Sequence, residues 1–128
     1  MVMQDWLKWE VIGMQNNKAL VMADMIVDTV IDKMGRNASD FQIRNINEDD
    51  NHKSFTVEFV AYDYYWVGVD YDKGIMTPYI ISGNRILRIK RCVGWWEKID
   101  LADWIEALDT ELKLRIPDKY LEKYRQGG

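Results

Sequence analysis

The strongest constraint on this chain is a period-two pattern between residues 54 and 71. Phe55, Val57, Phe59 and Ala61 alternate with Thr56, Glu58, Val60 and Tyr62, and Tyr65, Val67, Val69 and Tyr71 repeat the alternation. Successive side chains of a strand point to opposite faces, so the pattern specifies half-buried β-strands. Gly68, inside the second run, marks a bulge or a close backbone approach. Turn-forming stretches fall at Glu48-Asp49-Asp50-Asn51-His52, Asp72-Lys73-Gly74 and Ser82-Gly83-Asn84. Asp63-Tyr64 is a weaker break, so 54–71 reads either as two strands or as one long bent strand. The spacing predicts five antiparallel strands, near 41–47, 54–62, 64–71, 75–82 and 85–92. Links of hairpin length join such strands as a meander and leave no room for crossover helices.

Helical periodicity flanks this region. Leu20, Ala23, Val27, Val30, Ile31 and Met34 recur at helical spacing, and Met22, Met25 and Ile26 widen the apolar stripe. The spacing predicts a helix over 17–34, with Asn16 or Asn17 as N-cap and Gly35 as a left-handed C-cap. A face so broad should sit between a sheet and something else. After the strands, Asp100 and Asp103 form a capping arrangement ahead of Leu101, Trp104, Ile105, Leu108 and Leu112 on one face. Pro117 suits the first turn of a last short helix carrying Tyr120, Leu121 and Tyr124. The fold class expected is α+β: a five-stranded antiparallel meander with an N-terminal helix and two C-terminal helices packed on it. No linker, repeat or low-complexity stretch interrupts residues 1–128, which read as one domain.

Composition excludes several classes. The 17 basic and 21 acidic residues leave a net charge of −4, which does not fit a basic nucleic-acid arm. Cys92 is the sole cysteine, so no intrachain disulfide can form. The basic neighbours Arg88, Lys90 and Arg91 would lower its thiol pKa if close in space, whereas a small buried hydrophobe at a strand end is the simpler reading. Met1 to Trp6 has no basic run and no unbroken apolar core of a signal peptide. Ala19 to Ile31 is interrupted by Asp24 and Asp28 and is too short to span a bilayer. These features are those of a cytoplasmic protein without a membrane segment.

Catalytic arrangements are hard to assemble from this chain. His52 is the only histidine and lies in the hydrophilic stretch Asp50-Asn51-His52-Lys53, as an exposed loop residue does. One His and one Cys do not make a zinc site of nitrogen and sulfur ligands. A serine or cysteine nucleophile would need His52 as its base, and no Gly-x-Ser-x-Gly elbow accompanies the three serines. Phosphate-binding and dinucleotide-binding glycine loops are missing. Glu48-Asp49-Asp50 lacks the spacing of a calcium loop and reads as a solvated hairpin tip. No enzyme activity, metal or cofactor is therefore expected.

Three features point to binding instead. Asp24, Asp28 and Asp32, at i, i+4 and i+8, form one acidic stripe on an otherwise apolar helix. Like charges at that spacing cost about 0.2–0.5 kcal/mol per pair, so local stability does not select them. They form either the wet edge of a mostly buried helix or a docking ridge for a basic partner. Charge is also segregated: residues 1–72 carry 13 acids against 6 bases, residues 73–128 carry 8 against 11. In the basic part Arg85, Arg88, Lys90 and Arg91 sit near Trp95 and Trp96. On a strand, Arg88 and Lys90 would share one face and Ile89 and Arg91 the other. That pattern suits single-stranded nucleic acid, but a positively decorated edge strand is the simpler account for an acidic protein. Lastly, Tyr62, Tyr64, Tyr65, Trp66 and Tyr71 form the densest aromatic run, bordered by Asp63, Asp70 and Asp72. Strand alternation puts Tyr62, Tyr64 and Trp66 on one face. Helices cover only one face of such a sheet, so these rings form an exposed interface centre or are shielded by Trp6, Leu7 and Trp9.

A small acidic α+β chain with the stripe Asp24/Asp28/Asp32 and the run Tyr62–Asp72 resembles the immunity proteins of bacterial toxin systems, including those of contact-dependent inhibition. The resemblance implies a non-enzymatic inhibitor that masks a basic toxin domain, often a nuclease, through an acidic and aromatic surface. Asp24, Asp28, Asp32, Tyr62, Tyr64, Trp66, Asp70 and Asp72 would form that surface. The partner is then a protein rather than nucleic acid or membrane. Two other readings stand beside it. One is a ligand-binding or catalytic domain with a pocket lined by Trp66, Tyr79, Trp95 and Trp104, with Asp63 or Glu58 as its polar group. The other is a subunit that self-associates through the aromatic face.

Overall fold

A computed structural model describes residues 18–49 and 51–117. Its elements run α1 (Lys18–Met34), β1 (Ala38–Asp49), β2 (His52–Ala61), β3 (Tyr65–Asp72), β4 (Ile75–Ser82), β5 (Arg85–Arg88), β6 (Gly94–Trp95) and α2 (Leu101–Lys113). Strands β1 to β5 pair antiparallel in chain order, and β6 pairs with β4. The class is α+β, with a largely meandering sheet of six strands rather than five. Only one of the two expected C-terminal helices lies among the described residues. The helix expected after Pro117, carrying Tyr120, Leu121 and Tyr124, falls outside them, as do the proposed caps Asn16 and Asn17 and the ring cluster Trp6, Leu7 and Trp9.

Residues 54–71 form two strands, separated by a turn in which Tyr62 and Asp63 both have positive φ (56° and 51°) and Tyr64 N–H donates to Ala61 O. This left-handed pair matches the twist of the flanking strands. Lys73-Gly74, at φ 50° and 93°, makes the next hairpin turn in the same way. β2, β3 and β4 then run in unbroken register, for example Val57↔Val69 and Val69↔Pro78. β1 extends three residues earlier than its pattern suggested and carries two register shifts, at which Asp40 and Asn45 take positive φ. Short polar side chains tolerate that conformation, and the bulges bend the strand.

The expected fifth strand over 85–92 is cut short, for a reason that lies in β4. The N–H of Ile89 donates to the carbonyl of Pro78 at 2.9 Å, but proline has no N–H to return. Pairing with β4 ends there, at Tyr79↔Arg88. The chain turns through a 3-10 segment at Lys90–Cys92 and returns as β6, which takes over the other half of the β4 edge at Ile75↔Trp95 and Met76↔Gly94. Lys90 and Arg91 are therefore not strand residues, and the facial pairing expected of Arg88 with Lys90 does not arise.

Both helices pack on one face of the sheet. Ala19, Ala23, Ile26, Val30 and Met34 of α1 meet Phe55, Val57, Phe59, Val67, Val69 and Ile80 in one core with Trp104, Ile105, Leu108 and Leu112 of α2. Gly35 is the left-handed C-cap expected, at φ 56°. Asp100 caps α2, accepting from Asp103 N–H at 3.1 Å. The cap on α1 comes from elsewhere: Glu48 Oε1, on β1, accepts from the amides of Ala19 (2.6 Å) and Leu20 (3.3 Å). A carboxylate is favourable at a helix N-terminus, so Glu48 is a structural residue rather than part of a solvated tip. Cys92 is buried, and burial, the largest cause, raises its thiol pKa, with Glu111 adding to the shift and Arg115 opposing it. Its carbonyl accepts from the Trp104 indole at 2.6 Å.

Gly68 marks a close approach, not a bulge. A Cβ there would lie 2.2 Å from the ring tip of Tyr79, which crosses over the glycine from the neighbouring strand. Gly68→Ala is expected to destabilise the fold by about 1–3 kcal/mol, because the buried ring has to tilt. In a Tyr79→Ala background the same change should be neutral, or stabilising by up to about 1 kcal/mol, since alanine restricts the unfolded chain. Urea midpoints of the four proteins, at constant slope, measure both.

Candidate functional site

With the helices on one side, strand alternation sends Thr56, Glu58 and Val60 of β2, Trp66, Asp70 and Asp72 of β3, and Ile75, Thr77, Tyr79 and Ile81 of β4 to the other. Among the described residues no helix covers this face. Its middle is a hydrogen-bonded cluster. Asp70 Oδ1 accepts from Thr56 Oγ1 at 2.7 Å and from the Tyr79 hydroxyl at 3.3 Å. Thr56 and Tyr79 are buried although they lie on the open side; the Tyr79 ring crosses over Gly68, and both hydroxyls are held by Asp70. The Tyr79 pKa is raised well above its ordinary value, first by burial and then by the Asp70 charge and hydrogen bond. Arg44 Nε pairs with Glu58 Oε1 at 3.2 Å beside this cluster.

At the end of the face, His52 is not a loop residue. It opens β2, and its Nε2 lies 2.6 Å from Asp72 Oδ1. A carboxylate only accepts, so Nε2 carries the proton in this bond. A shallow hollow of about 210 Å³ lies between this pair and Asp70, lined also by Asn45, Ser54 and Thr56. A second, of about 280 Å³, borders the same two aspartates on the side of Thr77 and Arg88. At the opposite end the surface turns apolar. Val60, Trp66, Ile81 and Ile86 stand opposite one another in register across four strands, β2 to β5.

The residues proposed as one surface are thus separated. Trp66, Asp70 and Asp72 share the open face. Tyr62 does not join them: it sits in the turn, 2% exposed, with its ring in the helix-side core and its hydroxyl donating to Asp109 Oδ1 on α2 at 2.6 Å. The turn inverts the alternation assumed for it, since a left-handed residue does not continue a strand. Tyr64 is exposed at the same turn, edge-on to Tyr65 at 5.2 Å. Asp24, Asp28 and Asp32 lie on the side of α1 away from its buried stripe, so they face outward from the helix layer, opposite the open sheet face. Asp28 and Asp32 are exposed and Asp24 is half-buried. Lys33 borders this stripe, 4.0 Å from Asp32 and 3.2 Å from Glu106 of α2. Its pKa is raised, mainly by the hydrogen bond to Glu106.

The four-ring pocket is not formed either. Trp104 is buried, Trp95 is 54% exposed on β6, and Trp66 and Tyr79 lie on the open face. None of the four lines either hollow above, nor a third of about 320 Å³ bounded by Met25, Trp96, Ile99 and Leu101. Among the described residues no group of three or more His, Cys, Asp or Glu is placed to hold a metal ion. Likewise, no helix among them is long and apolar enough to cross a membrane. No family model, curated protein or solved structure matches this chain.

Two outcomes follow for the tyrosines. Tyr62→Phe removes a hydrogen bond to a charged group and should cost about 1.5–3 kcal/mol of stability, read by urea titration, while leaving the open face intact. Burial, as the largest cause, raises the pKa of Tyr62, Tyr65 and Tyr79 above 10. Above about pH 10 the unfolded chain loses these protons and the folded chain keeps them, so the folded state binds more protons and stability must fall as pH rises. Their contribution is complete below that pH and declines by at most about 1.4 kcal/mol per pH unit for each tyrosine. Urea midpoints between pH 9 and pH 12, with phenolate absorbance, check the sign.

Proposed function

We propose that this chain is a non-enzymatic binding protein that neutralises a basic protein domain by masking it, as an immunity protein masks its toxin. One observation carries the reading: the open sheet face carries the apolar row Val60, Trp66, Ile81 and Ile86 toward one end and the acids Asp70 and Asp72 toward the other. A desolvated aromatic centre with charges at its margin is the make-up of a protein interface. Asp70 uses Oδ1 for both of its hydrogen bonds among the described residues. Its second oxygen and Asp72 are then the groups a partner's Arg or Lys would meet. The stripe Asp28/Asp32 faces the other way and acts at a distance, drawing in a basic partner without touching it. On this reading the protein works in the cytosol, where its single buried thiol stays reduced.

Affinity capture from the native host, followed by kinetics with the purified partner, tests the proposal. A basic partner is expected, with association that slows as salt rises. Trp66→Ala with Asp72→Asn should speed dissociation about tenfold or more, equivalent to about 1.4 kcal/mol. Asp28→Asn with Asp32→Asn should slow association and flatten its salt dependence, with dissociation unchanged. Unaltered dissociation in the Trp66 and Asp72 variant would remove the open face as the interface. Sedimentation of the free chain at several concentrations distinguishes self-association through the same face.

A further inference from the structure

The sheet ends in an unusual edge. β5 pairs with β4 on one side and, among the described residues, with no strand on the other. The Ile89 to Pro78 bond and the pair Ile80↔Leu87 turn the backbone groups of Leu87 and Ile89 toward β4. Antiparallel alternation then points the N–H and C=O of Ile86 and Arg88 outward, where none of the described residues meets them. All four side chains of β5 are exposed, with Ile86 at 57% and Leu87 at 50%. The opposite edge, β1, is protected by its two bulges. β5 has no bulge and no proline, and presents two aliphatic side chains at its centre.

Charge selects among occupants. Arg85, Arg88, Lys90 and Arg91 lie within seven residues that contain no acid, and none forms an ion pair among the described residues. A second copy of this chain would place the same cations along one seam with nothing to offset them. An acidic strand would neutralise them. We propose that β5 is a docking edge for an extended acidic segment of a partner protein, which adds to the sheet as a further strand. Residues opposite each other on paired strands share a face. The segment would therefore place acids against Arg85 and Arg88 and aliphatic residues against Ile86 and Leu87. The preferred sequence is acid, apolar, apolar, acid, which reads the same in either direction. The edge shares Ile86 with the open-face row, but its backbone donors and its Arg85 and Arg88 are not part of the Trp66 and Asp72 test, so the two readings fail on different variants.

The test uses the full chain and a fluorescein-labelled peptide, Gly-Thr-Glu-Val-Ile-Glu-Thr-Gly, followed by anisotropy. Saturable binding that weakens with salt is expected. The exposed double variant Arg85→Glu with Arg88→Glu should bind it about tenfold or more weakly and should acquire binding to the same peptide with Lys in place of Glu. Methylating the peptide amides on one alternate set should abolish binding, and methylating the other set should leave it, because only one set faces the edge. If the double variant does not fold, the methylated peptides decide alone. The proposal is overturned by absence of saturable binding, by equal binding to the folded charge-reversed variant, or by equal binding of both methylated peptides. Sedimentation showing that the chain dimerises in solution, with the dimer lost in the charge-reversed variant, would assign the edge to a second copy and overturn it as well.

Discussion

Tyr62 is the point on which three parts of the molecule meet. Its amide donates to Asn37 O, ahead of β1, at 2.7 Å. Its hydroxyl reaches Asp109 on α2, and its ring fills the core between them. The residue holds a left-handed backbone that is costly for a bulky side chain, and these contacts offset the cost. Next to it Tyr65 donates to the carbonyl of Leu112 at 2.7 Å, so the β2–β3 hairpin is bolted to the last turn of α2 at two places. That attachment keeps α2 on the same side as α1. Among the described residues, no helix lies on the other side of the sheet.

Much of this arrangement was legible. Alternation identified β2 and β3, helical spacing identified α1 and α2, and the Asp100 and Gly35 caps follow from elementary preferences. What escaped was decided by contacts between distant residues. Glu48 looks like turn chemistry until the first amides of α1 are placed beside it. His52 looks solvated until Asp72, diagonal to it on the next strand, comes within hydrogen-bond reach. Tyr62 looks like one more residue of an alternating run, and only its positive φ reverses its face. Pro78 was the one overlooked signal in plain view, since a proline inside a strand implies that pairing on one side is interrupted.

The separation of the proposed surface has the same origin. Sequence proximity brought Asp70, Asp72, Trp66 and Tyr62 into one group, and helical spacing brought the three aspartates of α1 into another. The sheet divides them, because its two faces belong to different environments. One face is a hydrophobic core sealed by helices. The other holds a small polar network, Thr56–Asp70–Tyr79, framed by the Arg44–Glu58 pair and by an aliphatic–indole row. Such a network fixes the direction of its side chains before any partner arrives, and less ordering is then required on association.

The Glu48 cap carries a consequence for the order of assembly. Helices commonly close their first turn with a side chain immediately preceding it, so the cap can form as soon as the helix does. Here the amides of Ala19 and Leu20 are held by a residue 28–29 positions further along. That closure waits for the far end of β1 to arrive, while the hairpins of the meander join only neighbours in the chain. Sequence-distant contacts form more slowly than local ones. The first turn of α1 therefore depends on a contact of longer sequence separation than any hairpin of the meander, and α1 is completed by the sheet that follows it.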